Sequence, residues 1–230
     1  MIEATYIDHM GSDLSVVNAA RVSFGKKSDW EWSDEEGATN YTFGQEDGKI
    51  YLKLSDRDTK LIRYLAKHKH ISPFGHAFAS FHVKAPVFVA RQLVKHKFLR
   101  WNEISRRYVD DEPEFYVPTE WRGRSADKKQ GSEGVIETTA IPHHAYNAGM
   151  WHYKQLLKDG VAPEQARMVL PQSMMTEWYW SGSLDAFASM CHLRCKPDTQ
   201  YESRLVADQI DEEMSKLFPV AWEALRAYEE

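Results

Sequence analysis

"APVFVARQLVKHKFLRWNEISRRY", residues 85–108, decides how this chain is read. Its first part is apolar, and Pro86 suits the first turn of a helix. That predicts a helix over "PVFVARQLVKHK" that reaches about Lys97. The second part, 95–108, crowds two Lys, three Arg, a His, a Glu, an Asn, a Ser, a Trp and a Tyr together. From Arg91 to Arg107 six cations face Glu103 alone. On such a helix Arg91 and Lys95 share a face at i, i+4, and stacked like charges cost a few tenths of a kcal/mol each. An anion seated among them removes that cost. Phosphate fits, because Arg grips it bidentately and Lys acts as a point charge. A plain solvated basic face is the competing reading. Against it, Gln92, Asn102, Glu103 and Ser105 are hydrogen-bonding groups, and the cluster abuts an apolar helix. Trp101 and Tyr108 offer ring faces to a planar ligand, although either alone is as readily core.

The whole chain has 230 residues, the size of one domain or one domain with an insertion. Its 43% hydrophobic content suffices for a core, and 27% charged residues with net charge −5 fit an ordinary globular protein. No apolar run approaches about eighteen residues, so no membrane span is expected. "MIEATYIDHM" lacks the basic and apolar regions of a signal peptide, which makes the cytoplasm the expected location. Cys191 and Cys195, at i, i+4, read as reduced thiols rather than a disulfide. The acidic balance speaks against a general binder of nucleic-acid polymers. It points to a small anionic ligand at the cationic stretch.

Residues 2–7 read as a strand. A helix follows in "GSDLSVVNAARVSF", with Asp13 as its N-cap. Residues 25–56 differ in texture and read as a surface insertion with a β-hairpin. Asp47-Gly48 forms its turn, and Ile50, Leu52 and Leu54 alternate like a strand. A helix runs from Ser55 through "DRDTKLIRYLAKH", and Ala77 to Val83 is a buried strand. Residues 119–141 are Gly-, Ser- and charge-rich, the texture of a mobile loop of lid length. The remainder reads as helices near 142–159, 163–180, 183–193 and 198–228. The expected fold is α+β: one helix-rich domain, 1–230, with a small antiparallel sheet.

"KHKFLRWNEISRRY" resembles the signature of the flavin-dependent thymidylate synthases. That family's motif is Arg-His-Arg, seven residues, then Ser, with Asn-Glu inside and Arg-Tyr at the end. Here the frame is Lys95-His96-Lys97, Asn102-Glu103, Ser105 and Arg107-Tyr108, with the same spacing. "GSDLSVVNAARVSF", "KHKHISPFGHAFASFHVKAPVFVARQ", "EFYVP", "ARMVLP" and "LR" followed by "DTQYE" resemble further family blocks in family order. The resemblance covers nearly the whole chain except about 25–56 and 119–141. Two departures stand out. Lys95 and Lys97 replace Arg, which keeps charge but loses the bidentate fork. Gly75 stands where many members have Glu.

The resemblance implies reductive methylation of dUMP to dTMP. The carbon comes from methylenetetrahydrofolate, and FAD reduced by NADPH supplies the hydride. It also implies a homotetramer with active sites shared between subunits. By position, Gln92, Lys95, Glu103, Ile104, Ser105, Arg106 and Arg107 match the dUMP-binding stretch, and Arg167 and Arg194 match two further nucleotide-binding arginines. Arg194 is the implied catalytic residue, stabilising the ionised uracil edge, a task suited to a group that never loses its proton. Lys95, His96, Lys97, Asn102 and Glu103 match FAD contacts, as do Ser23, His70, Ser72, Ser183 and Ser189. Ser105 reads as a ligand contact, since no base partners it as a nucleophile. Cys191 and Cys195 read as helix packing. His68, His70 and His76 lack a compact ligand spacing, so no metal is expected. Two alternatives stay open: the same fold yielding a hydroxymethylated pyrimidine nucleotide, and a non-catalytic RNA-binding protein using 91–107.

Overall fold

The computed structural model describes residues 1–33, 42–43, 50–108, 111–126, 131–140 and 142–228. Its centre is a four-stranded antiparallel sheet in the order β1 (Glu3–Met10), β5 (Phe78–Pro86), β9 (Met175–Ser183), β6 (Leu99–Glu103). The two central strands alternate strictly. Ala79, Phe81, Val83 and Ala85 of β5 and Trp178 and Trp180 of β9 are buried on one face. Ser80, His82 and Lys84 pair across the register with Ser181, Tyr179 and Glu177 on the other. Period two is what a sheet with one packed face requires. Indole rings seal the packed face: Trp101 of β6 stacks on Trp178 at 4.3 Å, and Trp180 meets Phe187 edge-on at 5.7 Å.

Helices cover that face. In chain order they are α1 (Asp13–Arg21), α2 (Asp56–Lys67), α3 (Val87–Leu93), α4 (His143–Lys158), α5 (Pro163–Ala166), α6 (Leu184–Arg194), α7 (Tyr201–Leu217) and α8 (Pro219–Ala227). α7 packs on β1 and β5, α6 on α7, and α8 on α2. Ser55 caps α2, its hydroxyl accepting from the Asp58 N–H at 3.1 Å. Asp13 does not cap its own helix, where Ser12 holds the N-cap position. Its carboxylate instead reaches the start of α8 and accepts from the N–H groups of Val220 (3.1 Å) and Ala221 (2.9 Å). Burial pushes that carboxyl up to about 6, against the pull of those two N–H groups.

Several expected elements are corrected. The helix placed over 163–180 stops at Ala166 and a single 3₁₀ turn, Arg167–Val169; Pro171 ends helical geometry and β9 takes over. The helix placed over 198–228 divides at Phe218, where Pro219 opens α8. The helix meant to reach Lys97 ends at Leu93. Lys95-His96-Lys97 therefore lies on a turn, and Arg91 and Lys95 do not stack on one helix. Phe98 closes the turn at φ +64°, and β6 follows. The first strand runs to Met10, beyond the expected 2–7.

Within 25–56 the described residues form a three-stranded sheet, β2 (Glu31–Ser33), β4 (Ile50–Lys53) and β3 (Thr42–Phe43) in that order. The Asp47-Gly48 turn lies outside the described residues. Arg21 and Ser28 both bond Asp58, which ties the entrance of this segment to α2. Within 119–141, β7 (Trp121–Gly123) pairs with β8 (Glu133–Ile136). Regular pairing thus replaces part of the expected loop. Among the described residues no helix is long and apolar enough to cross a membrane.

Candidate active site

Two cavities open on either side of the turn 94–98. The first, about 780 Å³, lies between α3, the C-terminal end of α6, the start of α7 and the β7–β8 segment. Gln92, Lys95 and Arg194 line it, with Tyr116, Arg122 and Glu202 opposite. The second, about 690 Å³, lies between the end of α2, the same turn and the outer side of α6. His96, Lys97, Phe98, Asp185 and Ser189 line it. Lys95 borders both.

Arg194 is the best-held group between them. Its Nε–H donates to His96 Nε2 at 2.9 Å, and one terminal nitrogen donates to Gln92 Oε1 at 3.2 Å. Gln92 in turn donates to Gln200 at 3.1 Å, and Gln200 donates to Glu202 at 3.3 Å. This chain of bonds fixes the guanidinium plane before any ligand arrives. It also fixes the tautomer: an imidazole nitrogen that accepts from arginine has no proton, so His96 carries its proton on Nδ1. Burial, and then the Arg194 charge, pull His96 down to about 4. Burial draws Arg194 below its ordinary value as well, yet a guanidinium stays charged at any working pH. Across the cavity, burial and then Glu202 push Tyr116 up to about 12, so its hydroxyl remains a donor. Ser173 Oγ also lines this cavity and is buried without a partner among the described residues.

The sequence-predicted residues do not gather in one place. Gln92, Lys95 and Arg194 meet in the first cavity, and Lys95, His96, Lys97 and Ser189 in the second. Ser105, Arg106, Arg107 and Arg167 lie elsewhere. Arg106 pairs with Asp111 at 2.7 Å and Arg107 with Glu164 at 3.3 Å, while Arg167 donates to the Glu164 carbonyl at 3.2 Å. Ser23, His70 and Ser72 are exposed and border neither cavity. Along β6, Glu103 accepts from Thr176 at 2.7 Å and from Trp101 at 3.1 Å, while Asn102 and Ile104 are exposed. Ser183 is buried at the N-cap of α6. Residue-level reading missed Tyr116, Arg122, Gln200 and Glu202. Three of these sit inside the quoted blocks "EFYVP" and "DTQYE", so a signal existed without a role attached.

Among the described residues Cys191, Cys195 and Asp211 bring their ligand atoms within 4.8 Å of one another. Asp211 is already held by Arg226 at 2.8 Å and by the Trp222 N–H at 3.0 Å. Burial, and then Cys195, push the Cys191 thiol up, which favours its protonated form. Both cysteines are free thiols.

Residues 5–220 match the family described as Thymidylate synthase complementing protein. A protein of Thermus thermophilus named flavin-dependent thymidylate synthase is 38% identical over 225 residues, covering 96% of this chain and 74% of that protein. One of the same name from Kosmotoga olearia is 36% identical over 228 residues, covering 95% of this chain and 87% of its own length. The crystal structure of a UMP/dUMP methylase, PolB from Streptomyces cacaoi, bound with 5-Br dUMP, superposes with a TM-score of 0.77 at 31% identity, covering 99% of this chain and 96% of that one. With most of its length matched in sequence and in fold, the chain belongs to the thymidylate synthase complementing protein family, the flavin-dependent thymidylate synthases.

Proposed function

We propose that this protein converts dUMP to dTMP, with methylenetetrahydrofolate as carbon donor and FAD, reduced by NADPH, as cofactor. The observation that carries the reading is the pair of cavities that meet at Lys95, with Arg194 fixed beside the junction by its bond to His96. The first cavity is the nucleotide site in this reading. Lys95 is the point charge for phosphate, and Arg194 faces the uracil edge where negative charge develops. Neutral His96 and Gln92 hold the guanidinium in place. Tyr116 keeps its proton and donates. The sequence's own match of Gln92, Lys95 and Arg194 to dUMP contacts supports this.

The second cavity fits FAD on its donor set. Lys69, Lys95, Lys97 and Lys196 line it, and among the described residues none has a carboxylate within ion-pair distance. Such a set answers the diphosphate of a dinucleotide, and Phe98 and Leu193 supply apolar surface for a ring. When bound, the flavin supplies the hydride of the reaction. His96, Lys97 and Ser189 would hold it.

Ser105, Arg106, Arg107 and Arg167 stand apart from the first cavity of their own chain. We therefore place them at the nucleotide site of a neighbouring copy, in a homotetramer with shared active sites. The whole chain 1–230 is one catalytic domain in this reading, with 25–56 an insertion and 119–141 a lid over the first cavity. Free Cys191 and Cys195 accord with a cytoplasmic location.

The test is a flavin spectrum followed by NADPH oxidation without oxygen. Oxidation that requires dUMP and methylenetetrahydrofolate together supports the reading. Colourless protein that FAD cannot reconstitute, binding RNA with steep salt dependence, would replace it with the RNA-binding alternative. UMP belongs in the same assay, because the structural relative is named a methylase of both nucleotides.

A further inference from the structure

The hydrogen bonds that lead from Arg194 toward α7 all run the same way. The guanidinium donates to Gln92 Oε1 at 3.2 Å, Gln92 Nε2 donates to Gln200 Oε1 at 3.1 Å, and Gln200 Nε2 donates to Glu202 Oε2 at 3.3 Å. A glutamine amide can face either way, because it carries both an acceptor and donors. The two ends of this chain have no such freedom. Arginine offers no acceptor, and a carboxylate offers no donor. Glu202 thus requires Gln200 to turn its Nε2 toward it. That leaves Gln200 Oε1 for Gln92, and so leaves Gln92 Oε1 for Arg194.

The place of Glu202 needs a reason. It lines the first cavity, which holds an anionic nucleotide in the proposed function, and like charges there repel. Its partner among the described residues is the Gln200 amide and not a cation. It stands in the first turn of α7, where an acid suits the helix dipole, but that role concerns stability alone. Gln200 holds the N-cap position of α7, yet its side chain does not cap the helix and bonds Gln92 and Glu202 instead.

We propose that Glu202 is a positioning residue for the reaction. It sets the direction of the two amides, so that Gln92 presents an acceptor to Arg194, and it does so without touching the nucleotide. A reversed Gln92 would turn its NH2 group on the guanidinium, donor against donor, and release Arg194 from its orientation. The proposal rests on the reading of the first cavity as the nucleotide site, with Arg194 at the uracil edge.

The experiment measures kcat and the KM for dUMP, by dTMP formation, in flavin-loaded protein. Wild type, Glu202→Gln and Gln200→Ala are compared, each also combined with Arg194→Ala, with thermal melts to confirm folding. Glu202→Gln keeps the shape but can donate as well as accept, so the chain loses its fixed direction. It should lower kcat about 10-fold, as misplacement of an oriented group does, and Gln200→Ala should do the same. The KM for dUMP should stay within about 2-fold, the scatter of a change that makes no ligand contact. With Arg194→Ala already present, either change should alter kcat by less than about 2-fold, because the group being oriented is gone. A lowered melting temperature with wild-type kcat reduces Glu202 to a helix-end charge and overturns the proposal. A loss carried mainly by KM, or one that persists in full without Arg194, makes Glu202 a direct contact and overturns it too. Should Glu202→Gln fail to fold, Gln200→Ala in the two backgrounds decides between the same outcomes. Flavin-loaded wild type that makes no dTMP overturns the reading of the first cavity, and the proposal with it.

Discussion

The two cavities share Lys95 but are built on opposite principles. In the first, apart from Ser173 Oγ, the buried polar groups are held within the protein: Arg194, His96, Gln92, Gln200 and Glu202 form one chain of hydrogen bonds. In the second, Lys97 and Lys196 have no described ion-pair partner and the buried Asp185 Oδ1 has no donor. The first site is preorganised, and a ligand meets groups already aimed. The second holds uncompensated charge that a ligand would neutralise. The comparison teaches which site should depend on its ligand for stability, and which should fail through misplacement of a single group.

The largest expected effect is in the first cavity. Arg194→Ala should lower turnover roughly a hundred- to a thousand-fold, the cost of losing an oriented group at a developing negative charge. The protein should still fold and bind flavin, since Arg194 does not line the second cavity, with a lower melting temperature from the lost bonds to His96 and Gln92. Turnover near wild type in that variant would separate Arg194 from the chemistry.

Stability should respond to the second ligand. FAD at a hundred times its Kd should stabilise the fold by about 2.7 kcal/mol. The gain should shrink in Lys97→Ala, because one phosphate-facing charge is gone. A calorimetric melt with and without FAD measures both. An undiminished gain in the variant would remove Lys97 from the flavin site.

Between the cavities, Gly182→Ala probes the frame. A Cβ there would collide with the Leu99 side chain and come within 3.1 Å of the Phe98 carbonyl oxygen. Overpacking of this kind costs about 1–3 kcal/mol, read as a lowered urea midpoint. Because β6 carries the turn, both ligand affinities should weaken together.

His96 gives a pH signature. Its folded value of about 4 lies below the ordinary 6.5, so the folded state binds fewer protons than the unfolded one. Its contribution is complete above 6.5 and is lost as the pH falls toward 4. Asp13 has the opposite sign. Its folded value of about 6 exceeds 3.8, so its contribution is present below 3.8 and is lost as the pH rises toward 6. The stability gap between wild type and His96→Gln should therefore widen from pH 4 to 6.5. A gap that does not vary with pH contradicts a neutral, arginine-bound His96. The smallest effect is expected at Cys195. Cys195→Ser should leave turnover within about 2-fold, as for a change worth no more than ~0.5 kcal/mol.

Sequence reading was sound where one local rule decides. Ser55 starts α2 as a cap should, and the α+β class and the helices near 142–159 and 183–193 are observed. It misread β9, the central strand that pairs with both β5 and β6. "MTEWYWSGS" has the in-out alternation of Trp178, Tyr179 and Trp180, but the helical texture of "PEQARMVL" was carried past Pro171 into it. The helix over 87–97 failed for a different reason. Its end at Leu93 depends on β6 pairing with β9, a tertiary demand that the segment does not display. The cationic stretch was legible as a cluster of cations beside an apolar helix. Its division between two cavities was not, because Gln200 and Glu202 join the chain of bonds to Gln92 and Arg194 only through the fold. Asp185, whose Oδ1 is buried without a donor among the described residues, had no signal in sequence.

The most direct measurement is the mass of the nucleotide made from dUMP by flavin-loaded protein, given NADPH and methylenetetrahydrofolate without oxygen. Wild type should give dTMP and Arg194→Ala almost none. A hydroxymethylated nucleotide, or unaltered dUMP from flavin-loaded wild type, would contradict it.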